Sequence, residues 1–227
     1  MKNKRIRWIW MGIMAMLLAG IFPAGAAAEE TNGLKFEVTF TPEAHAGAVT
    51  GRVYVILAQN GNREPRFQVH PRGVPFFGKD IDALQPGESS VLDAETFGYP
   101  YPSMSDLPAG EYHVQAFINI YTRFERSDGH VLWMHQDQWE GQRWNRSPGN
   151  IYSEVQKLTI SPGDDRVVRL SCTEIIPDIT VPPDTDWVKR IKIQSRILTE
   201  FWGQPMYLGA VILLPQGYHE NPGKTYP

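Results

Sequence analysis

Cysteine is nearly absent from this sequence of 227 residues, and so are the short motifs that identify the large enzyme classes. The single cysteine, Cys172, excludes a disulfide within the chain, and no His or Asp lies at a motif spacing from it. We therefore expect a buried thiol, not a nucleophile. The sequence contains no Gly-x-Ser-x-Gly elbow, no phosphate-binding P-loop and no His-Glu-x-x-His zinc motif. No catalytic residue, metal site or cofactor is predicted.

Long apolar segments are also missing, except for one at the N-terminus. Four basic residues occur within the first seven positions, and 21 uncharged residues, 8–28, follow and end in an Ala-rich stretch. This order is typical of a secretory signal peptide over residues 1–28. The alternative is a retained signal anchor, because a run of this length can just span a bilayer. Pro23 and the small residues after it favour cleavage, so we predict an exported protein, periplasmic or extracellular, with no membrane attachment after cleavage.

An excess of positive charge is absent as well. Without residues 1–28, the chain has 18 basic and 25 acidic residues, a net charge of −7. Nucleic-acid recognition depends on basic surface, so we expect no nucleic-acid partner. With 42% hydrophobic residues, the composition is that of a globular protein and not of a disordered one.

The patterning that is present favours β-strands. Polar and apolar residues alternate most clearly over 112–124, where every second residue from Tyr112 to Ile120 is apolar and one face belongs in a core. The pair Asn60-Gly61 predicts a hairpin turn that leads into a further strand at 66–70. Short strands separated by Pro and Gly, without a convincing amphipathic helix, predict an immunoglobulin- or fibronectin-like β-sandwich over residues 29–175.

The composition changes after this predicted domain. Residues 176–186 contain three Pro and three Asp, which predicts a stiff, extended linker. Beyond it, alternation that begins at Ile191 predicts a strand that reaches about Phe201. Residues 206–214 are apolar almost without interruption, which is typical of a strand covered on both faces.

The sequence of residues 187–227 resembles the sequences of a known family. The resemblance is carried by four segments: Lys192-Ile193-Gln194-Ser195, Phe201-Trp202-Gly203-Gln204-Pro205-Met206-Tyr207-Leu208-Gly209-Ala210, Leu213-Leu214-Pro215-Gln216-Gly217-Tyr218 and Lys224-Thr225-Tyr226-Pro227. They are similar to the opening of the esterase D and enterochelin-esterase-like family, whose members have the α/β-hydrolase fold. The resemblance implies that this segment is the start of such a domain, formed by its first antiparallel β-hairpin.

A second resemblance covers Asp137–Gln142 and Asn145–Ser153. These segments are similar in sequence to segments of the β-sandwich domain that precedes the hydrolase domain in some exported members of the family. In that family, the nucleophilic Ser, the acid and the His all lie downstream of the matched strands. The resemblance therefore implies a truncated hydrolase domain that is inactive as given. Its implied partner is the missing C-terminal hydrolase domain, joined within the same polypeptide.

A cluster of aromatic and polar residues is the candidate site for a ligand or for docking of another domain. Its members are Trp133, His135, Asp137, Trp139 and Trp144. Indole rings stack on sugars, and neighbouring carboxylate and amide groups can orient hydroxyls. The alternative, which is the commoner use of large aromatic rings, is that they cap one end of the sandwich or dock the missing domain.

Two functions remain open from the sequence. The first is an exported esterase-family protein, represented by its non-catalytic sandwich and the first hydrolase strands, with an ester as the small-molecule substrate of the complete enzyme. The second is a stand-alone exported β-sandwich module that recognises a glycan or a peptide. An apolar hairpin without a cover is an aggregation hazard, so we expect poor solubility unless residues beyond about 186 are removed.

Overall fold

The computed structural model describes residues 33–226 and is mainly β, with 41% strand and 9% helix. The predicted signal peptide lies outside the described residues. The strands are β1 (Lys35–Phe40), β2 (Val49–Ala58), β3 (Phe76–Leu84), β4 (Ser90–Leu92), β5 (Gly98–Tyr99), β6 (Gly110–Ile120), β7 (Thr122–Glu125), β8 (Val131–Met134), β9 (Ile151–Ser153), β10 (Gln156–Ile160), β11 (Val167–Ile175), β12 (Val188–Gln194) and β13 (Tyr207–Leu213). The helices are α1 (Arg196–Trp202) and the 3-10 helices Pro65–Gln68, Met104–Asp106 and Trp144–Arg146.

Nine of the strands form one curled sheet. Its order is β4–β1–β11–β9–β6–β2–β3–β5, and β10 also pairs with β6. β1 and β11 run parallel, whereas β2, β9 and β10 are all antiparallel to β6. The long strand β6 is therefore held on both edges, by β2 along one edge and by β9 and β10 along the other.

The inner face of this sheet contains the main hydrophobic core. On β6, the alternate residues from Tyr112 to Ile118 are fully buried and pack with Phe36 of β1, as the alternation predicts. Cys172 of β11 belongs to the same core, which confirms the expected buried thiol. Burial disfavours the thiolate and raises the pKa of the Cys172 thiol far above its usual range.

The outer face of β2 and β6 is covered by loops. Phe117 and Ile56 form a second, smaller apolar cluster there, and the 3-10 helices Pro65–Gln68 and Trp144–Arg146 lie over this face. The side chain of Gln115 is also buried, and its Oε1 accepts a hydrogen bond of 3.1 Å from the backbone N–H of Arg66. Both faces of β6 are thus shielded from solvent at the centre of the strand. After Pro148, the covering loop returns to the sheet at β9.

The predicted hairpin at Asn60-Gly61 is wrong. β2 pairs with β3, which begins only at Phe76, and the expected strand at 66–70 is largely the 3-10 helix Pro65–Gln68. The cause is local, since Pro65 fixes a helical φ at the start of the segment. A buried side chain, Gln115, then takes the N–H of Arg66 that a strand would offer to a ladder partner.

Two other strand boundaries differ from the prediction. The strand expected over 112–124 ends at Ile120, and Thr122–Glu125 pairs instead with β8 in a separate two-stranded sheet. The strand expected to reach Phe201 ends at Gln194, and α1 follows. Ser195 caps this helix, because its Oγ accepts a 3.3 Å hydrogen bond from the N–H of Leu198, and Gly203 ends the helix at φ +67°.

β12 and β13 form an antiparallel pair that is joined through α1. Residues directly opposite each other share a face, so one face of the pair is almost wholly apolar. We call this face, formed by Ile191, Ile193, Leu208, Ala210 and Ile212, the apolar face of the pair. Leu208 is 56% exposed, and every residue of β13 is exposed. No helix among residues 33–226 is long and apolar enough to cross a membrane.

Candidate functional site

The predicted aromatic cluster lies in and around the segment that connects β8 to β9. The structure separates its members. Trp144 packs under this segment, Trp133 points away on β8, and His135, Asp137 and Trp139 line an open cleft.

Trp144 belongs to the packing of the sheet. Its indole stacks on Tyr54 with ring centroids 4.5 Å apart and an interplanar angle of 20°, and its edge meets Phe117 at 5.3 Å. Burial raises the pKa of Tyr54 to about 12, so its phenol stays protonated under physiological conditions. Trp144 is therefore part of the cover of the outer face and does not line the cleft.

Trp133 lies opposite Arg123 in the β7–β8 pair and is 48% exposed. It is not among the residues that line the cleft. Alternation along β8 accounts for this separation, because Met134, the next residue, does line the cleft and neighbouring side chains on a strand point to opposite faces.

His135 is held by hydrogen bonds on both sides of its ring. Its Nδ1 lies 3.2 Å from Oδ1 of Asn119, and its Nε2 lies 2.8 Å from Oε1 of Glu140. The backbone fixes which atoms donate, since the N–H of Ile120 donates to Oδ1 of Asn150 and thereby turns the Asn150 amide nitrogen toward Asn119. The Asn119 oxygen is thus an acceptor, and the proton on this side of the imidazole sits on Nδ1.

The other side of the His135 ring is paired with a buried carboxyl group. The side chain of Glu140 is only 3% exposed, and its second oxygen accepts a hydrogen bond of 2.6 Å from the N–H of Gln138. At 2.8 Å, Nε2 and the Glu140 oxygen need a proton between them. The pair ties the loop 135–140 to β6 through Asn119.

Asp137 organises the outer part of this loop. Its Oδ1 accepts hydrogen bonds from the N–H groups of Trp139, at 3.1 Å, and Gln142, at 3.5 Å. Partial burial alone would raise the pKa of Asp137, but the hydrogen bonds that its carboxylate accepts, among them those from these backbone N–H groups, outweigh burial and lower the pKa. The carboxylate supports a strained turn, because Trp139 and Gln142 adopt positive φ angles of +76° and +60°.

Trp139 contacts the C-terminal segment. A Cβ atom at Gly209 of β13 would overlap the indole ring, so only glycine allows this close approach. The ammonium nitrogen of Lys192 lies 5.5 Å from the Trp139 ring centroid and 4.4 Å from that of Tyr207. Trp139 nevertheless remains 53% exposed. It thus joins the β12–β13 pair to the loop while it keeps much of its ring open.

The end of α1 makes a second contact between the two regions. The Trp202 ring meets Phe124 of β7 edge-on at 5.5 Å, and the N–H of Ser127 donates a 2.8 Å hydrogen bond to the carbonyl oxygen of Phe201. Arg126 lies over the Phe201 ring at 5.0 Å. The C-terminal end of α1 therefore packs against the β7–β8 hairpin.

Between these contacts lies the cleft, which we call the junction cleft, with a volume of about 670 Å³. Its wall combines the loop after β8, part of the segment 178–181, and residues from β12 to β13. The sequence indicated His135, Asp137 and Trp139, but it gave no signal for Lys192 or Tyr207. Those two reach the cleft only through the docking of a distant segment.

The wall of the junction cleft carries groups that can bind a ligand. The described residues that line it include no Ser, Thr or Cys. Among residues 33–226, no group of three or more His, Cys, Asp or Glu is arranged to hold a metal ion. What the wall offers is aromatic surface, amide groups and separate charges.

No protein-family model, no curated protein and no solved structure matches this chain.

Proposed function

We propose that this chain is the non-catalytic part of an exported serine-hydrolase-like esterase. In this proposal, the curled sheet is an immunoglobulin- or fibronectin-like sandwich domain, and β12 and β13 are the first two strands of an α/β-hydrolase sheet. The observation that carries the proposal is the apolar face of the β12–β13 pair.

A face that is apolar over its whole length is not expected on a two-stranded ribbon that stays exposed to solvent. Ile193 and Leu208 lie opposite each other on this face and are 57% and 56% exposed. An isolated two-stranded ribbon is marginally stable, and an apolar ribbon also presents unpaired backbone at its edges. In α/β folds, such strands are covered by helices on their faces and extended by further strands at their edges.

In the complete enzyme, a Ser nucleophile activated by a His would cleave the ester by acyl transfer, and an oxyanion hole would stabilise the developing charge. The sequence of this chain contains no serine elbow. Its own contribution is structural: it supplies the first strands of the sheet and, through Trp139 and Trp202, attaches them to the sandwich.

Two measurements test this proposal. Purified chain should not hydrolyse p-nitrophenyl acetate above background, and any turnover that disappears on substitution of one of its own Ser residues would contradict the proposal. The codons that follow Pro227 in the gene give the second test. A continuing frame that encodes a Gly-x-Ser-x-Gly elbow agrees with the proposal, whereas a stop codon at that point refutes it.

The junction cleft favours a second candidate function, a stand-alone exported binding module for a glycan. Its volume falls within the range of small-molecule sites, and such sites often form where two parts of a protein meet. Titration with oligosaccharides should quench Trp fluorescence to saturation. Trp139→Ala should abolish the change, and Trp133→Ala, which removes an equally exposed indole outside the cleft, should leave it intact. Loss of the signal in both variants, or in neither, would contradict this function.

A further inference from the structure

We infer that the junction cleft binds a sugar that carries a carboxylate, such as a uronic-acid oligosaccharide. This inference rests on the second proposed function, the glycan-binding module, and specifies its ligand class. Three features of the cleft wall carry it: a cation that has no acidic partner among residues 33–226, two exposed aromatic rings beside that cation, and three polar side chains that make no side-chain hydrogen bond within the same residues.

Lys192 is the cation. It is the only Lys or Arg among the described residues that line the cleft. None of the ion pairs between residues 33 and 226 involves it. The rings of Tyr207 and Trp139 hold its ammonium nitrogen at 4.4 and 5.5 Å from their centroids. Aromatic faces attract the ammonium group but accept none of its three conventional hydrogen bonds. A carboxylate that enters the cleft therefore finds a positioned, charge-assisted donor.

The same two rings provide the apolar part of the site. Trp139 and Tyr207 are 53% and 43% exposed, so the cation does not cover them completely. A pyranose ring has one face rich in C–H groups, and such a face packs on indole or phenol rings. Because the rings flank Lys192, a ligand whose carboxylate reaches the ammonium group also contacts aromatic surface.

The polar groups suited to sugar hydroxyls are the side chains of Gln136, Gln142 and Asp178. All three line the cleft, and none makes a side-chain hydrogen bond within the described part of the chain. The neighbouring Gln138 differs, because its amide donates a 2.7 Å hydrogen bond to the carbonyl oxygen of Pro148. Some polar groups of this loop thus hold it together, and others remain available to a ligand.

The charge of the wall also restricts the ligand class. The wall contains one ammonium group and two carboxylates, those of Asp137 and Asp178, so a densely charged polyanion such as a nucleic acid is disfavoured. An isolated carboxylate surrounded by hydroxyl groups matches this wall, because the hydroxyls can donate to the acidic side chains. Uronic acids have this arrangement on every ring.

The experiment uses the full chain, with trigalacturonate and neutral galactotriose as the two probes in isothermal titration calorimetry at low ionic strength. Trigalacturonate should bind at least about tenfold more tightly, and added salt should reduce this preference. Lys192→Met should remove the preference, and Lys192→Arg should keep most of it. The matched control is Lys224→Met, since Lys224 also lies over a tyrosine ring, at 5.1 Å from the Tyr226 centroid, but does not line the cleft.

The outcomes separate this inference from the function on which it rests. Equal affinity for the two probes, with loss of binding in Trp139→Ala, would overturn the carboxylate preference and leave the glycan module standing. Absence of binding to either probe would overturn both. If Lys192→Met keeps the preference while its circular dichroism spectrum matches that of the parent, Lys192 is not the recognition group and the inference is wrong.

Discussion

Strands of similar sequence are buried in the curled sheet of this protein and exposed in its C-terminal β12–β13 pair. In the curled sheet, Phe36, Val38 and Ile118 are inaccessible to solvent, whereas in the C-terminal pair Val211 and Leu213 are 68% and 75% exposed. Both regions contain β-branched and aromatic residues in regular hydrogen-bonded ladders. The difference teaches that strand formation and strand burial are separate properties. The first follows from local sequence, and the second depends on which other elements are available to cover the strand.

Core truncation should show the largest difference between the regions. Phe36→Ala should lower the free energy of unfolding by about 3 to 5 kcal/mol, because a fully buried ring leaves a cavity. Leu208→Ala should change it by less than about 0.5 kcal/mol, as expected for an exposed side chain. Urea unfolding followed by circular dichroism measures both. Losses of similar size would mean that the apolar face is already covered and would break the comparison.

Buried polar residues should come next. Asn150 joins the backbone N–H of Ile120, the side chain of Asn119 and the carbonyl of Trp144 through three hydrogen bonds. Asn150→Ala leaves these groups without partners and should cost about 2 kcal/mol. Gln194→Ala is the control in the C-terminal pair, where the side chain is exposed, and it should be nearly neutral. A neutral Asn150→Ala would show that water replaces the network.

The contact between the two regions can be broken at a single position. Gly209→Ala places a methyl group where the Trp139 ring lies, and relief of such overlap costs about 1 to 3 kcal/mol. We expect local detachment of the C-terminal pair, seen as faster proteolysis within residues 176–186 and altered Trp fluorescence, with an unchanged core. Gly223→Ala, where a Cβ meets nothing within 4 Å, is the matched control. Unchanged proteolysis in Gly209→Ala would show that Trp139 does not hold the pair.

The smallest effect should be a dependence on pH. Because the pKa of Asp137 is lowered in the folded state, its ionised form stabilises the loop above the ordinary aspartate pKa, and this contribution is lost as the pH falls through the lowered value. Asp137→Asn removes that contribution. Unfolding midpoints of the parent and the variant should therefore differ at neutral pH and converge in acid. A constant difference across the pH range would contradict the assignment.

Much of the sheet follows from the sequence, and the reasons for the exceptions are specific. The alternation from Tyr112 to Ile118 and the burial of Cys172 are predictable because a half-buried strand imposes a period of two. The helix α1 was missed because Ile191, Ile193 and Ile197 continue the same period, and the decisive signals are only one capping serine and one C-terminal glycine. Helices as short as α1 are difficult to predict from sequence, because the signals at their two ends are few.

The candidate site was predictable only in part. His135, Asp137 and Trp139 are close in sequence and stay together in the cleft, whereas Trp144, which is as near in sequence, packs on Tyr54. Nothing in the local pattern distinguishes the two tryptophans. Lys192 reaches Trp139 across more than fifty residues, and the cause is the missing side chain of Gly209, which becomes visible only in three dimensions.

We expect that the apolar face of the β12–β13 pair normally packs against another part of a protein. Sedimentation velocity over a wide range of protein concentration is the most direct test of this expectation, because an uncovered apolar face should cause the chain to associate. The parent chain should associate as its concentration rises, and the double substitution Ile193→Thr with Leu208→Lys should keep it monomeric. The matched control changes two exposed residues of β11 in the curled sheet, Ile175→Thr with Val167→Lys, and should leave association unaltered. A parent chain that stays monomeric at the highest concentration would contradict the account.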